Sequence, residues 1–238
     1  MLQSVICWQY SVCVNVQVTV GDLVGVSKSV ASLAVRKVTR VIANLAPQHV
    51  KFPSTVLERS TTMHDFYAIA AFPGVLGAVD CTHIPIQSPG GNNAELFRNR
   101  KGYFSINVQA VASADLTFTN VVSRWHGSAH DATIFDNSRL CARFETGEFG
   151  QGHLLGDAGY PCRSYLLTPV SVANSAAQQR YNCAHIQTRN VVERAFGVVK
   201  RRFPCLRLGL RVKVFYYYYY YYYYYYIRFT AFYPGQPV

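Results

Sequence analysis

The chain carries only 12 acidic residues among 238, and two of them end apolar runs. Asp80 follows Val75-Leu76-Gly77-Ala78-Val79, and Asp157 follows His153-Leu154-Leu155-Gly156. An aspartate at the end of a core strand does little for solubility and is well placed to line a cleft. A third acid, Glu193, is separated from Asp157 by 35 residues and lies in a stretch with helical periodicity. Carboxylates converging from separate elements are the chemistry that magnesium or manganese selects, because these ions prefer hard oxygen ligands. A pair of such ions about 3.5–4 Å apart serves both the attacking and the leaving oxygen in phosphodiester cleavage.

The elements that must position these acids can be read in order. Pro73-Gly74 and Pro85 trim the first apolar run to strand length, with Asp80 expected at its C-terminal tip. Residues 62–71 read as a short helix leading into it. Residues 104–110 alternate strictly and predict a half-buried strand, Asp115 falls in a turn, and residues 117–125 read as the returning strand of a hairpin. Gly127-Ser128-Ala129-His130-Asp131 precedes a helix expected over 132–144, with Asp131 at its N-terminal end, where simple capping is an alternative role. Residues 153–157 give another strand, residues 161–179 a loop and a helix. A strong helix over 189–203 has Val192, Phe196, Val199 and Phe203 as its apolar stripe. Glu193 lies at the edge of that stripe, Gly197 leaves room beside it, and an i, i+4 ion pair with Arg189 is the ordinary alternative to a chemical role.

The charge balance points to a polyanionic partner. Lys and Arg number 23, the formal net charge is +11, and eight basic residues follow Glu193 with no acid among them. A one-sign segment directly after a carboxylate is what a phosphate-backbone surface requires, and no basic amphipathic anchor argues for a membrane. Seven cysteines without a Cys-x-x-Cys pair support neither a disulfide framework nor a structural zinc site, and fit a reducing compartment. The uncharged start, residues 1–21, lacks the basic leader of a signal peptide, and Gln3, Gln9, Asn15 and Gln17 interrupt its apolar run. Its alternation fits a strand or the remnant of a helix. Residues 19–45 then show a short segment, a glycine turn, Ser27 as an N-cap and a longer helical pattern. That outline fits a helix-turn-helix or a plain helical hairpin, and residues 47–53 read as a linker. Eleven consecutive tyrosines, Tyr216 to Tyr226, form a low-complexity run that no packed element needs.

Taken together, Gly77-Ala78-Val79-Asp80-Cys81-Thr82-His83-Ile84, the His130-Asp131 step, Gly156-Asp157-Ala158-Gly159-Tyr160-Pro161 and Val192-Glu193-Arg194-Ala195-Phe196-Gly197 through Arg202-Phe203 resemble the Harbinger transposase-derived nucleases of the DDE superfamily. The resemblance runs from about Phe66 to Arg207. It implies an α/β fold, a ribonuclease-H-like mixed sheet flanked by helices, preceded by a helix-turn-helix-like segment. The expected organisation is a helical segment over 1–52, an endonuclease core over 66–212 and a polytyrosine tail over 213–238. By this resemblance Asp80, Asp157 and Glu193 form a catalytic acidic triad binding Mg2+ or Mn2+, with Asp131 as a fourth metal ligand. Lys200, Arg201 and Arg202 would contact DNA phosphates. His83, His126 and His130 lie nearby and are read as hydrogen-bonded structural residues ahead of ligands or substrate contacts. DNA, a Myb-like DNA-binding partner protein and a nuclear location are implied in the same way. The family usually extends further on both sides, so a truncated copy is expected. The alternative to a metal-dependent endonuclease is then a catalytically inactive DNA- or partner-binding descendant, or a truncated transposon product.

Overall fold

The computed structural model describes residues 43–210 without a break, and scattered positions between residues 25 and 41. The expected helix-turn-helix falls largely outside the described residues, and the polytyrosine run entirely so.

Five strands form one mixed sheet in the order β3-β2-β1-β4-β5. They are β1 (Val75–Pro85), β2 (Ser105–Ala112), β3 (Phe118–His126), β4 (His153–Leu155) and β5 (Leu166–Leu167). The first three form an antiparallel meander, while β4 runs parallel to β1 and β5 parallel to β4. The helices whose bounds fall within the described residues are α1 (Ala46–His49), α2 (Val56–Ala70), α3 (Asp131–Asp136), α4 (Arg139–Glu145), α5 (Ala176–Arg202) and α6 (Cys205–Leu208). The crossover from β3 to β4 carries α3 and α4, the long connection that a parallel neighbour of β1 needs. This is an α/β sheet flanked by helices, consistent with the ribonuclease-H-like class.

Each face of the sheet has its own core. Val75, Ala78, Ala112 and Leu155 pack under Phe66 and Phe72, from α2 and its exit, and under Val191, Val192 and Ala195 of α5. Leu76, Val79, Val111, Leu154 and Leu166 pack on the opposite side with Phe135, Leu140 and Phe144 of α3 and α4. Phe52 belongs to that second core, so the packed unit reaches back into the segment read as a linker. A register irregularity between Val75 and Gly77 sets the later pleat of β1. From there on Ala78, Asp80 and Thr82 share the α5 face, and Val79, Cys81 and His83 face α3 and α4, because successive residues of a strand alternate.

Several expectations shift by identifiable causes. Residues 132–144 are two helices: the first ends at Asp136, and the Ser138 hydroxyl accepts from the Cys141 N–H to start the second. The helix carrying Glu193 begins far earlier, at Ala176, where Ser175 and Gln178 form a reciprocal capping box. Another such box, Thr55 with Glu58, starts α2 ahead of residue 62. The backbone N–H groups of Thr55 and Ser54 hold the Glu58 carboxyl down to about 2. Thr55→Ala removes the acceptor for the Glu58 N–H and is expected to lower the unfolding free energy by about 1 kcal/mol, measured by urea denaturation. An unchanged midpoint would show that α2 is held by packing alone.

Candidate active site

Asp80 stands in the middle of β1, not at its tip. The strand runs on to Pro85 because β2 pairs with it from Ala78 to Pro85. On the other side β4 pairs only as far as Ala78. Asp80 therefore sits just past the point where its parallel neighbour stops, which opens the sheet beside it. Ala78 pairs with Leu155, so Asp80 and Asp157, each two residues further on, leave adjacent strands in the same direction and on the same face. This shared row is what brings the two aspartates together. The Asp157 carboxylate accepts from the Gly159 N–H at 2.9 Å, which fixes it in the turn after β4.

α5 lies over this face. Arg189 donates to Asp80 Oδ2 at 3.2 Å and to Glu193 Oε1 at 2.5 Å, so one guanidinium joins β1 to the helix acid. Further along, Lys200 Nζ bonds Thr82 Oγ1, two residues beyond Asp80 on the same face. Arg189, Glu193 and Lys200 are spaced for one side of the helix, and the helix lays that side along β1. The Arg189–Glu193 pair is thus the i, i+4 contact that spacing allowed, extended by a bond to Asp80 that spacing alone does not reveal.

Burial pushes the Asp80 carboxyl up to about 6. Its bond from the Cys81 N–H at 2.7 Å and the Arg189 charge oppose the rise, while the like charges of Asp157 and Asp131 add to it. Desolvation also lowers the Lys200 amine, helped by nearby Lys101. His83 bonds Ser105 Oγ at 3.0 Å and is lowered by burial, with Asp131 opposing and Lys101, Lys200 and Arg100 reinforcing. His126 bonds Ser128, and His130 is exposed at the entry to α3.

Asp131 is the first residue of α3 and caps nothing with its side chain. Asn107 Nδ2 donates to its carboxylate at 2.8 Å, and Gln109 Nε2 donates to its carbonyl at 3.2 Å. Asn107 pairs with His83 and Gln109 with Cys81, so Asp131 lies over the α3 face, across β1 from Asp80. Gln109 also donates to the Tyr160 hydroxyl at 3.1 Å, which ties the loop after Asp157 to the same centre. Gln109, Arg100 and Lys101 are contributors that the sequence reading did not single out, and Arg189 entered it only as an ion-pair partner of Glu193. The Arg-Asn-Arg-Lys run over 98–101 was a visible signal for the last two, whereas Gln109 looked like one polar residue in an alternating strand.

The donors fit a hard divalent cation by chemistry: three carboxylates from β1, the β4 exit and α5, one of them with a raised carboxyl beside like charges. Among the described residues, no three carboxylate, imidazole or thiolate groups are gathered closely enough to hold an ion as they stand. Glu193 is turned onto Arg189 instead.

A family model described as DDE superfamily endonuclease matches residues 79–223. The chain belongs to this family. Among curated relatives, the human protein named "Putative nuclease HARBI1" is 35% identical over 190 residues, covering 80% of this chain and 54% of that protein. The mouse protein of the same name is 36% identical over the same share of each chain. The Arabidopsis thaliana "Protein ALP1-like" is 26% identical over 199 residues, 77% of this chain and 48% of that protein. The chain spans about half the length of the curated relatives it matches. No solved structure matches it. The matched segment takes in Asp80, Asp131, Asp157 and Glu193.

Proposed function

We propose that the protein is a divalent-metal-dependent DNA endonuclease derived from a Harbinger-type transposase. The observation that carries this reading is the shared row of Asp80 and Asp157 with Glu193 brought over it by α5, in a chain of the DDE superfamily endonuclease family. Asp80, Asp157 and Glu193 would hold Mg2+ or Mn2+. Asp131, whose charge reaches Asp80 across β1, is assigned to the outer part of the same site. When bound, the metal supplies the Lewis acidity that phosphodiester cleavage needs at the attacking and leaving oxygens.

The chain's own residues bind, orient and tune. Burial holds the Asp80 carboxyl up at about 6, so metal binding and cleavage are expected to rise as it ionises through that region. Lys200, held by Thr82, and Lys101 place positive charge past Asp80 in the direction in which β1 runs. Arg201 and Arg202 are exposed at the end of α5, where forked donors can grip phosphate oxygens without reading sequence. Cys81, Gln109 and Tyr160 fill the opposite side of β1 with a buried hydrogen-bonded group. DNA and a Myb-like DNA-binding protein as partners, and a nuclear location, are part of this proposal on the strength of the family resemblance.

Manganese titration by calorimetry tests it. The wild-type chain is expected to bind, and Asp157→Asn to lose that binding while keeping the same unfolding temperature. No binding by folded wild-type protein contradicts the metal site. It would favour the second reading, a DNA-binding descendant without cleavage, which the Arg189 bridge between Asp80 and Glu193 also supports. That reading predicts salt-sensitive DNA binding in the absence of nicking.

A further inference from the structure

Arg189 is an unusual member of an i, i+4 pair. Its side chain is 15% exposed, whereas its partner Glu193 is 52% exposed, so the cation is the more deeply placed of the two. Its two terminal nitrogens go to different carboxylates on different elements, Nη1 to Asp80 and Nη2 to Glu193. Surface pairs on one helix contribute little because water screens both charges. The Arg189–Asp80 bond instead runs from helix to sheet, and the Asp80 side chain at its far end is only 19% exposed. The guanidinium therefore lies between two of the acids that would hold the metal. Asp80 Oδ1 already accepts from the Cys81 N–H, which leaves Oδ2, the atom bonded to Arg189, as the oxygen to be contested.

The charge count agrees. Three carboxylates against one guanidinium leave two negative charges, so Arg189 does not neutralise the site on its own. A divalent cation brings more charge and closer oxygen contacts than a guanidinium, and the two cannot share Asp80 Oδ2 at contact distance.

We infer that Arg189 is a positioning residue that acts as an internal counter-ion, holding Asp80 and Glu193 together and competing with the divalent metal for them. The inference rests on the metal site proposed above. Asp80 would have to release the guanidinium to hold the metal, while α5 would keep Glu193 within reach. The binding constant of the metal is thereby set against a built-in competitor.

Manganese calorimetry on the full chain at pH 8 and fixed salt tests this. Arg189→Gln keeps a polar, unbranched side chain without the charge and is expected to bind manganese about tenfold more tightly than wild type. Arg189→Lys, a point charge without the fork, is expected to fall between the two. It carries the test if the glutamine variant does not fold. Arg194→Gln removes an equal charge from an exposed position on the same helix and is expected to change the affinity less than twofold. Unchanged or weaker binding in both folded Arg189 variants would overturn the competition. A gain equal to that of Arg194→Gln would overturn it too, reducing Arg189 to a long-range charge. No binding in any folded variant, wild type included, would overturn the metal site itself and the inference with it.

Discussion

Asp80→Asn is expected to abolish metal-dependent DNA nicking and at the same time to raise the thermal stability of the metal-free chain. The two effects share one cause. Asp80 is largely buried, feels the like charges of Asp157 and, across β1, of Asp131, and its carboxyl is held at about 6. Between pH 4 and pH 6, roughly, the folded chain keeps this proton and the unfolded chain releases it. Stability from this group therefore falls as pH rises through that window, and the cost is complete above it. A carboxyl raised from its ordinary value near 4 to about 6 corresponds to at most about 3 kcal/mol. Asparagine keeps an oxygen for the Cys81 N–H but leaves Arg189 with Glu193 alone, so the net gain is expected to be about 1 kcal/mol. Loss of a negative ligand is expected to lower nicking by about a thousandfold or more. Thermal unfolding in EDTA at pH 5 and pH 7.5, beside a plasmid-nicking assay, reads both. The stability gain should be larger at pH 7.5. A variant less stable than wild type at that pH would refute the cost assigned to the buried charge, and one that nicks at the wild-type rate would remove Asp80 from the chemistry.

Gly127→Ala is expected to be the most destabilising single-methyl addition near the site. Gly127 ends the meander just before His130-Asp131. A Cβ built there would lie 2.4 Å from Ser105 Oγ, 2.5 Å from the Phe97 carbonyl oxygen and 2.8 Å from the Ser105 carbonyl oxygen. Two of those three atoms are backbone and cannot step aside alone. Gly77 has a comparable approach, but its nearest neighbour at 2.3 Å is a methyl of Val111, which has a rotamer to change. Forcing the main chain apart at Gly127 also moves Ser105, whose hydroxyl holds both His83 and Asn99. The expected loss is about 3 kcal/mol, or roughly 10 °C in Tm for a unit of this size. A Tm within about 2 °C of wild type would mean that the β3–α3 connection adapts far more readily than its packing indicates.

The sheet's first half was legible in the sequence because its signals are local. Pro73-Gly74 and Pro85 bracket β1, strict alternation marks β2, and the turn at Asp115 marks the return into β3. The second half depends on tertiary contact. β5 is two residues, Leu166–Leu167, too short for any period, and it exists because β4 offers it an edge. The first three turns of α5 are rich in Gln, Arg and Asn and show no continuous apolar stripe. The Ser175–Gln178 capping box is the feature that marks its true start. The break between α3 and α4 follows from Ser138 capping in the middle of an otherwise helical pattern.

Among site residues, Asp80, Asp157 and Glu193 were visible as acids at the margins of apolar patterns, and the register of β1 with β4 gives a reason for two of them to meet. What the sequence could not convey is side. Asp131 is drawn over the opposite face by Asn107 and Gln109, and nothing in the His130-Asp131 step announces that. Nor could a four-residue spacing show that Arg189, besides pairing with Glu193, reaches a strand 109 positions earlier in the chain. Such contacts depend on how α5 lies along β1, which is a property of the packed cores on both sides of the sheet.

The most direct measurement is nicking of supercoiled plasmid by the full chain at pH 7.5, with manganese or with EDTA, for wild type and Asp157→Asn. A carboxylate-held metal predicts nicking by wild type with manganese, none with EDTA, and none by Asp157→Asn that unfolds at the wild-type temperature. Cleavage that persists in EDTA, or equal cleavage by Asp157→Asn, would contradict a carboxylate-held metal as the agent of phosphodiester cleavage.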